Sequence, residues 1–360
     1  MLDSVLTWIK EAPPQKTGAG VAAASLACYL LVVRHYRYRY VKEMRRKYPD
    51  PDMVLKDASI AAEIYSISGK EFPFMNRQAM EMATFKTFTV PSMSRLLYST
   101  REIHVNTSRR VEDTELILSE MVEPYARVES ELQYNPNLSE QEITKQYARK
   151  GQAIKRLNEI HDKFKILNDD FIYTLSLFIL VPIRWINKYE YRKLDQREIN
   201  AYYRTWYDIG VDMKIKDIPD TLEKLEAFME EYERRKVLYH PVNPKLAEAT
   251  LQYGLKRLPA VLRPLVRELF PCILEPRSID AFQMKHPSWL LQSLFDGALH
   301  LRAFVVRHFF LPRRYHSVRT PFYPNKEGKY IPNYCSFESV YRNGYEISSL
   351  GPAKFCPVKH

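Results

Sequence analysis

The stretch IKRLNEIHDKF, residues 154–164, decides the fold class. Ile154, Leu157, His161 and Phe164 recur at i, i+3, i+7 and i+10, one stripe of a 3.6-residue helix. Lys155, Glu159, Asp162 and Lys163 fall on the opposite face. The segment therefore reads as an amphipathic helix with a histidine among its apolar residues. Working outward, Ser139 with Glu142 forms a capping box after the breaker Asn135-Pro136-Asn137. Asp217 to Thr221 opens the charged helix TLEKLEAFMEEYERRK, and Pro244 precedes LAEATLQYGLKRL. From Asp57 to Phe310 the pattern stays mainly helical. There is no sustained period of two, no internal repeat and no βαβ rhythm. The expected fold class is all-α.

The chain has 360 residues, of which 46% are hydrophobic, enough for a packed core and too many for a disordered chain. Its 10 glycines compare with about 25 at average usage, which disfavours folds dense in Gly-rich turns and phosphate loops. Cys28, Cys272, Cys335 and Cys356 are far apart with no CxxC pair, so a disulfide framework or zinc ribbon is not expected. A reducing compartment suits that spacing better.

The net charge of +11 resides in two places. Arg34 to Lys47 contributes +6 and Arg302 to Arg319 contributes +5. Charge alone is compatible with nucleic acid or with an anionic membrane. The neighbours of the clusters favour the membrane. Thr17 to Val33 is uncharged and apolar, at the short limit for a spanning helix, and the first cluster follows it at once. Residues 1–16 contain Asp3 and Glu11 and make a poor mitochondrial presequence. A secretory signal would place its positive charge before the apolar run. The positive-inside rule puts the amino terminus in the lumen and the main domain in the cytosol. The second cluster follows SWLLQSLFDGALHLRAFVVRHFF, residues 288–310, an aromatic amphipathic stretch that could rest on the same surface or be an ordinary core helix. The expected organisation is a luminal segment (1–16), a transmembrane anchor (17–33), a basic juxtamembrane segment (34–56), a helical domain (57–311) and an irregular tail (312–360). No nucleic acid partner is expected.

Several chemistries are excluded by motif. The sequence has no HExxH, no paired ExxH helices, no Walker loop, no GxGxxG and no GxSxG. Cys272 lacks the glycines that frame a haem-thiolate cysteine and reads as a structural thiol. Two constellations remain. If Thr107 or Ser108 caps a helix, Arg110, Asp113 and Thr114 share a face at offsets 0, +3 and +4, beside the stripe Val111, Thr114, Leu118, Met121. They read either as a polar pocket wall or as a surface ion pair. His161 reads either as a hydrogen-bonded core histidine or as a neutral imidazole able to ligate a b-type haem.

At these residues the sequence resembles the family of the fungal ER-bound oxygenase MpaB and, more distantly, the bacterial rubber oxygenases (latex clearing protein). The resemblance spans roughly residues 25 to 315. It rests on EFPFM (71–75), FKTFTVPSMSRLL (85–97), RRVEDTELILSEM (109–121), RLNEIH (156–161), the block 168–194 and NPKLAEAT (243–250). It implies a globin-like helical domain binding haem b and an oxygenase that uses molecular oxygen to cleave isoprenoid carbon–carbon double bonds. By position, His161 matches the proximal haem ligand. Arg110, Asp113 and Thr114 match the group lining the other side of the haem. Tyr173 and Arg184 fall in the best-matched block without an assigned role.

The family often reads Trp-x-Ser-(Leu/Ile)-Gly-Asp where this chain has Trp206-Tyr207-Asp208-Ile209-Gly210-Val211. If that acid serves the pocket, its replacement by Val211 alters or abolishes activity. The expectation is an ER-membrane, single-pass, haem-dependent oxygenase acting on a hydrophobic isoprenoid-like substrate. The alternative is a non-catalytic haem- or lipid-binding membrane protein that keeps the fold. The oligomeric state is not legible.

Overall fold

The computed structural model describes residues 14–335 and 338–352, so most of the expected luminal segment, and Cys356, lie outside the described residues. Those described are helical, with one isolated antiparallel bridge, Tyr330 to Tyr345, and no strand. No disulfide forms among them; Cys28 is exposed, Cys335 half-buried and Cys272 buried.

The longer helices are α1 (Pro14–Arg37), α2 (Arg39–Lys47), α3 (Ala58–Glu71), α4 (Pro73–Lys86), α5 (Pro91–Ser99), α6 (Thr107–Val122) and α7 (Pro124–Leu132). They are followed by α8 (Glu140–His161), α9 (Asn168–Tyr189), α10 (Gln196–Asp212), α11 (Leu222–Lys236), α12 (Asn243–Lys256), α13 (Arg263–Leu269) and α14 (Trp289–Phe309). Their starts follow local chemistry. Ser139 and Glu142 complete the capping box of α8, and Asp195 with Glu198 does the same for α10. The Thr221 hydroxyl accepts from the Lys224 amide at the start of α11. α6 departs from expectation. It begins at Thr107 behind Asn106, and neither Thr107 nor Ser108 caps it; the Thr107 hydroxyl donates to the Ile103 carbonyl instead.

α9 is the centre of the core. It is apolar on all sides, as a helix must be when neighbours cover every face. Ile172, Tyr173, Leu177, Ile179, Leu180 and Ile186 are all buried. α4 packs along it, and α10, α11 and α14 cover the rest. α3 packs on α10, and α6 packs on α8. Tyr173 and Arg184 serve this packing: the Tyr173 hydroxyl donates to Glu233, and Arg184 lies 3.5 Å from Glu226.

α1 is different. Its Val21, Leu26 and Leu31 are bare, and α1 with α2 forms the one stretch among the described residues long and apolar enough to span a bilayer. It docks through its carboxyl end. Tyr29 donates to the Phe309 carbonyl at 2.8 Å, Arg37 to the Phe310 carbonyl, and Tyr40 to the Arg313 carbonyl at 3.2 Å. The two basic clusters, far apart in sequence, are therefore neighbours in space.

Residues 312–335 and 338–352 lie across α6 and α8, held by buried charge. Arg319 pairs with Glu112 and Glu115, and Arg127 donates to the Thr320 hydroxyl. Glu120 receives Arg127 at 3.0 Å, Arg149 at 2.5 Å and the Tyr345 hydroxyl at 2.6 Å. Gly351 adopts φ +99°, and a Cβ there would stand 2.5 Å from Ile160 Cδ1, so the close approach of the tail to α8 requires glycine.

Candidate active site

A cavity of about 820 Å³ lies between α3, α4, α6, α8, α9 and α10 and is mostly apolar. That size is in the range of cofactor and ligand pockets. One face of α6 lines it from Thr107 to Val122, and one face of α4 from Pro73 to Phe85. Leu157 and His161 of α8 contribute because they occupy the apolar stripe; Phe171, Leu175, Phe178, Trp206 and Ile209 complete that region.

His161 stands at the carboxyl end of α8, in an edge-tilted contact with Phe171 at 5.4 Å. Its Nδ1 is buried without a hydrogen-bond partner. Burial, reinforced by the Arg110 charge, pushes its pKa down to about 4, so the imidazole is neutral at physiological pH. A buried, unprotonated, unpartnered ring nitrogen is suited to ligating a metal centre and poorly suited to a purely structural role.

Arg110 lies on the neighbouring wall. Its Nη1 donates to Thr114 Oγ1 at 2.7 Å, and it has no carboxylate partner among the described residues. Burial holds its guanidinium below the usual arginine range, with partial compensation from Asp113 and Glu102. Thr114 also lines the cavity.

Asp113 does not join them. Its side chain is 1% exposed and faces the tail, accepting from the Tyr341 hydroxyl and the Gly351 amide. Burial raises its pKa, and these two donors partly offset that. Offsets of +3 and +4 differ by about 100° around a helix, enough for Thr114 to face the pocket while Asp113 faces the opposite neighbour. Of the three, Arg110 and Thr114 line the cavity and Asp113 faces the tail.

Val211 is 51% exposed and does not line the cavity; Ile209 and Met213 do. An acid at position 211 would point away from the pocket. The adjacent Asp212 sits on the surface, 4.0 Å from Lys150.

The cavity continues to Lys70 and Phe74, and onto the tail at Arg313, His316 and Tyr334. This end adjoins α14 and α2: Arg302 of α14 lies 4.6 Å over the Phe74 ring, and Lys70 lies 4.3 Å over the ring of Tyr40 in α2. The tail residues escape sequence reasoning because residues 312–352 have no periodicity to place them. A boundary at residue 311 would cut through the pocket wall.

Residues 143–306 match the family described as ER-bound oxygenase mpaB/B'/Rubber oxygenase, catalytic domain. Over those residues the chain is similar to that family. The span contains His161 and α14 up to residue 306, while Arg110 and Thr114 precede it. The chain is similar to the ER-bound oxygenase mpaB' of Penicillium brevicompactum, 26% identical over 307 residues, covering 79% of this chain and 68% of that protein. It is also similar to the ER-bound oxygenase mpaB of Penicillium roqueforti, 25% identical over 278 residues, covering 71% and 87% respectively. The mpaB/rubber oxygenase family is thus one of oxygenases, and its fungal members are named as ER-bound.

Proposed function

We propose that this chain is a membrane-anchored oxygenase that depends on haem b and oxidatively cleaves a carbon–carbon double bond in a prenyl or other unsaturated lipid-like chain. The observation that supports it best is the neutral, unpartnered imidazole of His161 in an apolar cavity, facing a pocket wall that also holds the unpaired cation Arg110. The donor set fits a haem. Among the described residues no three His, Cys, Asp or Glu side chains converge on one point, so an iron at His161 needs its remaining ligands from a macrocycle. Haem, when bound, supplies the redox-active iron for dioxygen chemistry.

The protein's own contributions follow from position. His161 would hold the iron through a neutral ring nitrogen. Arg110 would present positive charge to developing negative charge or to a haem propionate, in a site where low dielectric strengthens the interaction. Thr114 fixes the guanidinium. The walls from Phe171, Phe178 and Trp206 exclude water and align an alkene chain. Asp113 acts at one remove, tying α6 to the tail.

The setting follows the same logic. Residues 17–33 would anchor the chain, 34–56 lie on the cytosolic headgroups of the ER, and 57–311 with the tail form the oxygenase domain. α14 exposes Leu290, Leu294, Leu301 and Phe304 along one side, beside α1 and the joined basic clusters. A sparingly soluble substrate would reach the cavity from that side, past Phe74. The non-catalytic alternative drew its support from Val211, which lies outside the pocket.

The test is an absorption spectrum of the purified chain. A Soret band is expected after haem supplementation and is lost in His161→Ala. No band in the native chain removes the haem reading; a band unchanged by His161→Ala removes the ligand assignment.

A further inference from the structure

The membrane-side end of the cavity holds a second unpaired cation. Lys70, in the last turn of α3, is only 8% exposed and lines the cavity; it lies over the Tyr40 ring, and no carboxylate pairs with it among the described residues. The acids that line the cavity are committed elsewhere: Glu81 to Arg77 and Arg257, Glu115 to Arg319, Glu123 to Thr320, and Asp170 to Tyr232. The contact with the Tyr40 ring offsets part of the cost of burying this ammonium and leaves it without a counter-ion. Tyr40 in turn donates to the Arg313 carbonyl, which brings another cation without an ion pair to the same place. His316 completes the group. It bonds to the Ser66 backbone and lies close enough to Lys70 to feel its charge.

We propose that Lys70, Arg313 and His316 bind the anionic head group, a carboxylate or a phosphate, of an amphiphile whose chain occupies the apolar cavity. This rests on the reading of the cavity as the site of an unsaturated chain, and it names the substrate class more narrowly. A buried ammonium is stable when an anion neutralises it, and charge-assisted contacts from two cations and an imidazole fit either oxyanion. The apolar walls along α4 and α6 then receive the tail. Arg110 to Val122 on α6 spans about 18 Å at 1.5 Å per residue, room for an extended chain.

The experiment uses the full chain as isolated, in nanodiscs of neutral phosphatidylcholine. Calorimetric binding of oleate, lysophosphatidate and uncharged oleyl alcohol is compared. An anionic amphiphile should bind about tenfold tighter than oleyl alcohol. Lys70→Met should abolish that difference and leave oleyl alcohol unchanged, His316→Gln should reduce it, and Lys70→Arg should keep it. Preference between oleate and lysophosphatidate identifies the head group. Equal binding of charged and uncharged amphiphiles by the native chain overturns the proposal, as does equal loss of both in Lys70→Met. Binding of inorganic phosphate alone, as tight as lysophosphatidate, overturns the amphiphile in favour of a free anion. Because the readout needs no haem, its failure is distinct from failure of the Soret test.

Discussion

Arg110 and Thr114 are bonded twice over: the guanidinium Nη1 donates to Thr114 Oγ1 at 2.7 Å, and that hydroxyl donates to the Arg110 carbonyl at 2.7 Å. One hydroxyl thus bridges the side chain and the backbone of the residue one turn earlier. Thr114→Val keeps the shape and removes the bridge. Stability should fall by about 1 kcal/mol in denaturant unfolding, the usual worth of one such bond. Oxygen-dependent turnover should fall about tenfold because the guanidinium loses its fixed direction. Thr114→Ser should restore most of both. Native turnover in Thr114→Val would show that the hydroxyl does not position Arg110.

Glu120 is enclosed by two arginines and a tyrosine, all buried. Glu120→Gln should cost about 3–5 kcal/mol, because two desolvated guanidinium groups lose their shared counter-charge. Glu142→Gln at the exposed capping box should cost far less. Equilibrium urea titrations of the two variants compare them directly, and similar losses would mean that the buried network adds little.

His316 is pushed down to about 4, first by burial and then by the Lys70 charge. The unfolded chain, with a histidine pKa near ~6.5, binds the extra proton first as pH falls. Its contribution is therefore complete above about pH 6.5 and is lost on acidification toward 4. The slope is at most about 1.4 kcal/mol per pH unit. His316→Gln should flatten the stability–pH curve in that window and leave it unchanged above it. A curve parallel to the native one would contradict the buried neutral imidazole.

Asn106 and Asn137 both head glycosylation sequons and both are exposed. With the domain in the cytosol neither should be modified in a eukaryotic host. Mass spectrometry that finds glycan on either asparagine would reverse the topology.

Leu294 and Leu301 of α14 are both 62% exposed and share one side of the helix. A fluorophore attached at either, in a background without other reactive cysteines, should be quenched by brominated lipid. One at exposed Lys145 of α8 should not, and one at Leu26 reports the anchor separately. Absence of quenching at 294 and 301, with quenching at 26, would leave the anchor and remove the surface contact.

The sequence made the helices legible wherever one face differed from the other. His161 and Leu157 follow from the stripe in 154–164, and the capping box at Ser139 was readable residue by residue. Arg110 and Thr114 were found by helical spacing, but spacing alone could not separate Asp113 from them. Which neighbour covers each flank of α6 depends on the tail, whose path comes from long-range charge pairs such as Arg319 with Glu112. Lys70 and His316 were missed for the same reason. Lys70 is one charge at a helix end, and His316 sits in a basic loop; only the fold puts them in one cavity. The adjacency of the two basic clusters was likewise a matter of tertiary structure, made by backbone carbonyls at Phe309, Phe310 and Arg313 that carry no sequence signal.

The tail that supplies Arg313, His316 and Tyr334 to the cavity has a consequence for biosynthesis. α1 is made before the helical domain, whereas these residues of the pocket wall are made after it. Domains fold in order of synthesis. The cavity therefore lacks that part of its wall until residues 313–335 and 338–351 have packed onto α6 and α8. On the proposed reading the anchor would be in place before the pocket is complete, so insertion would precede loading.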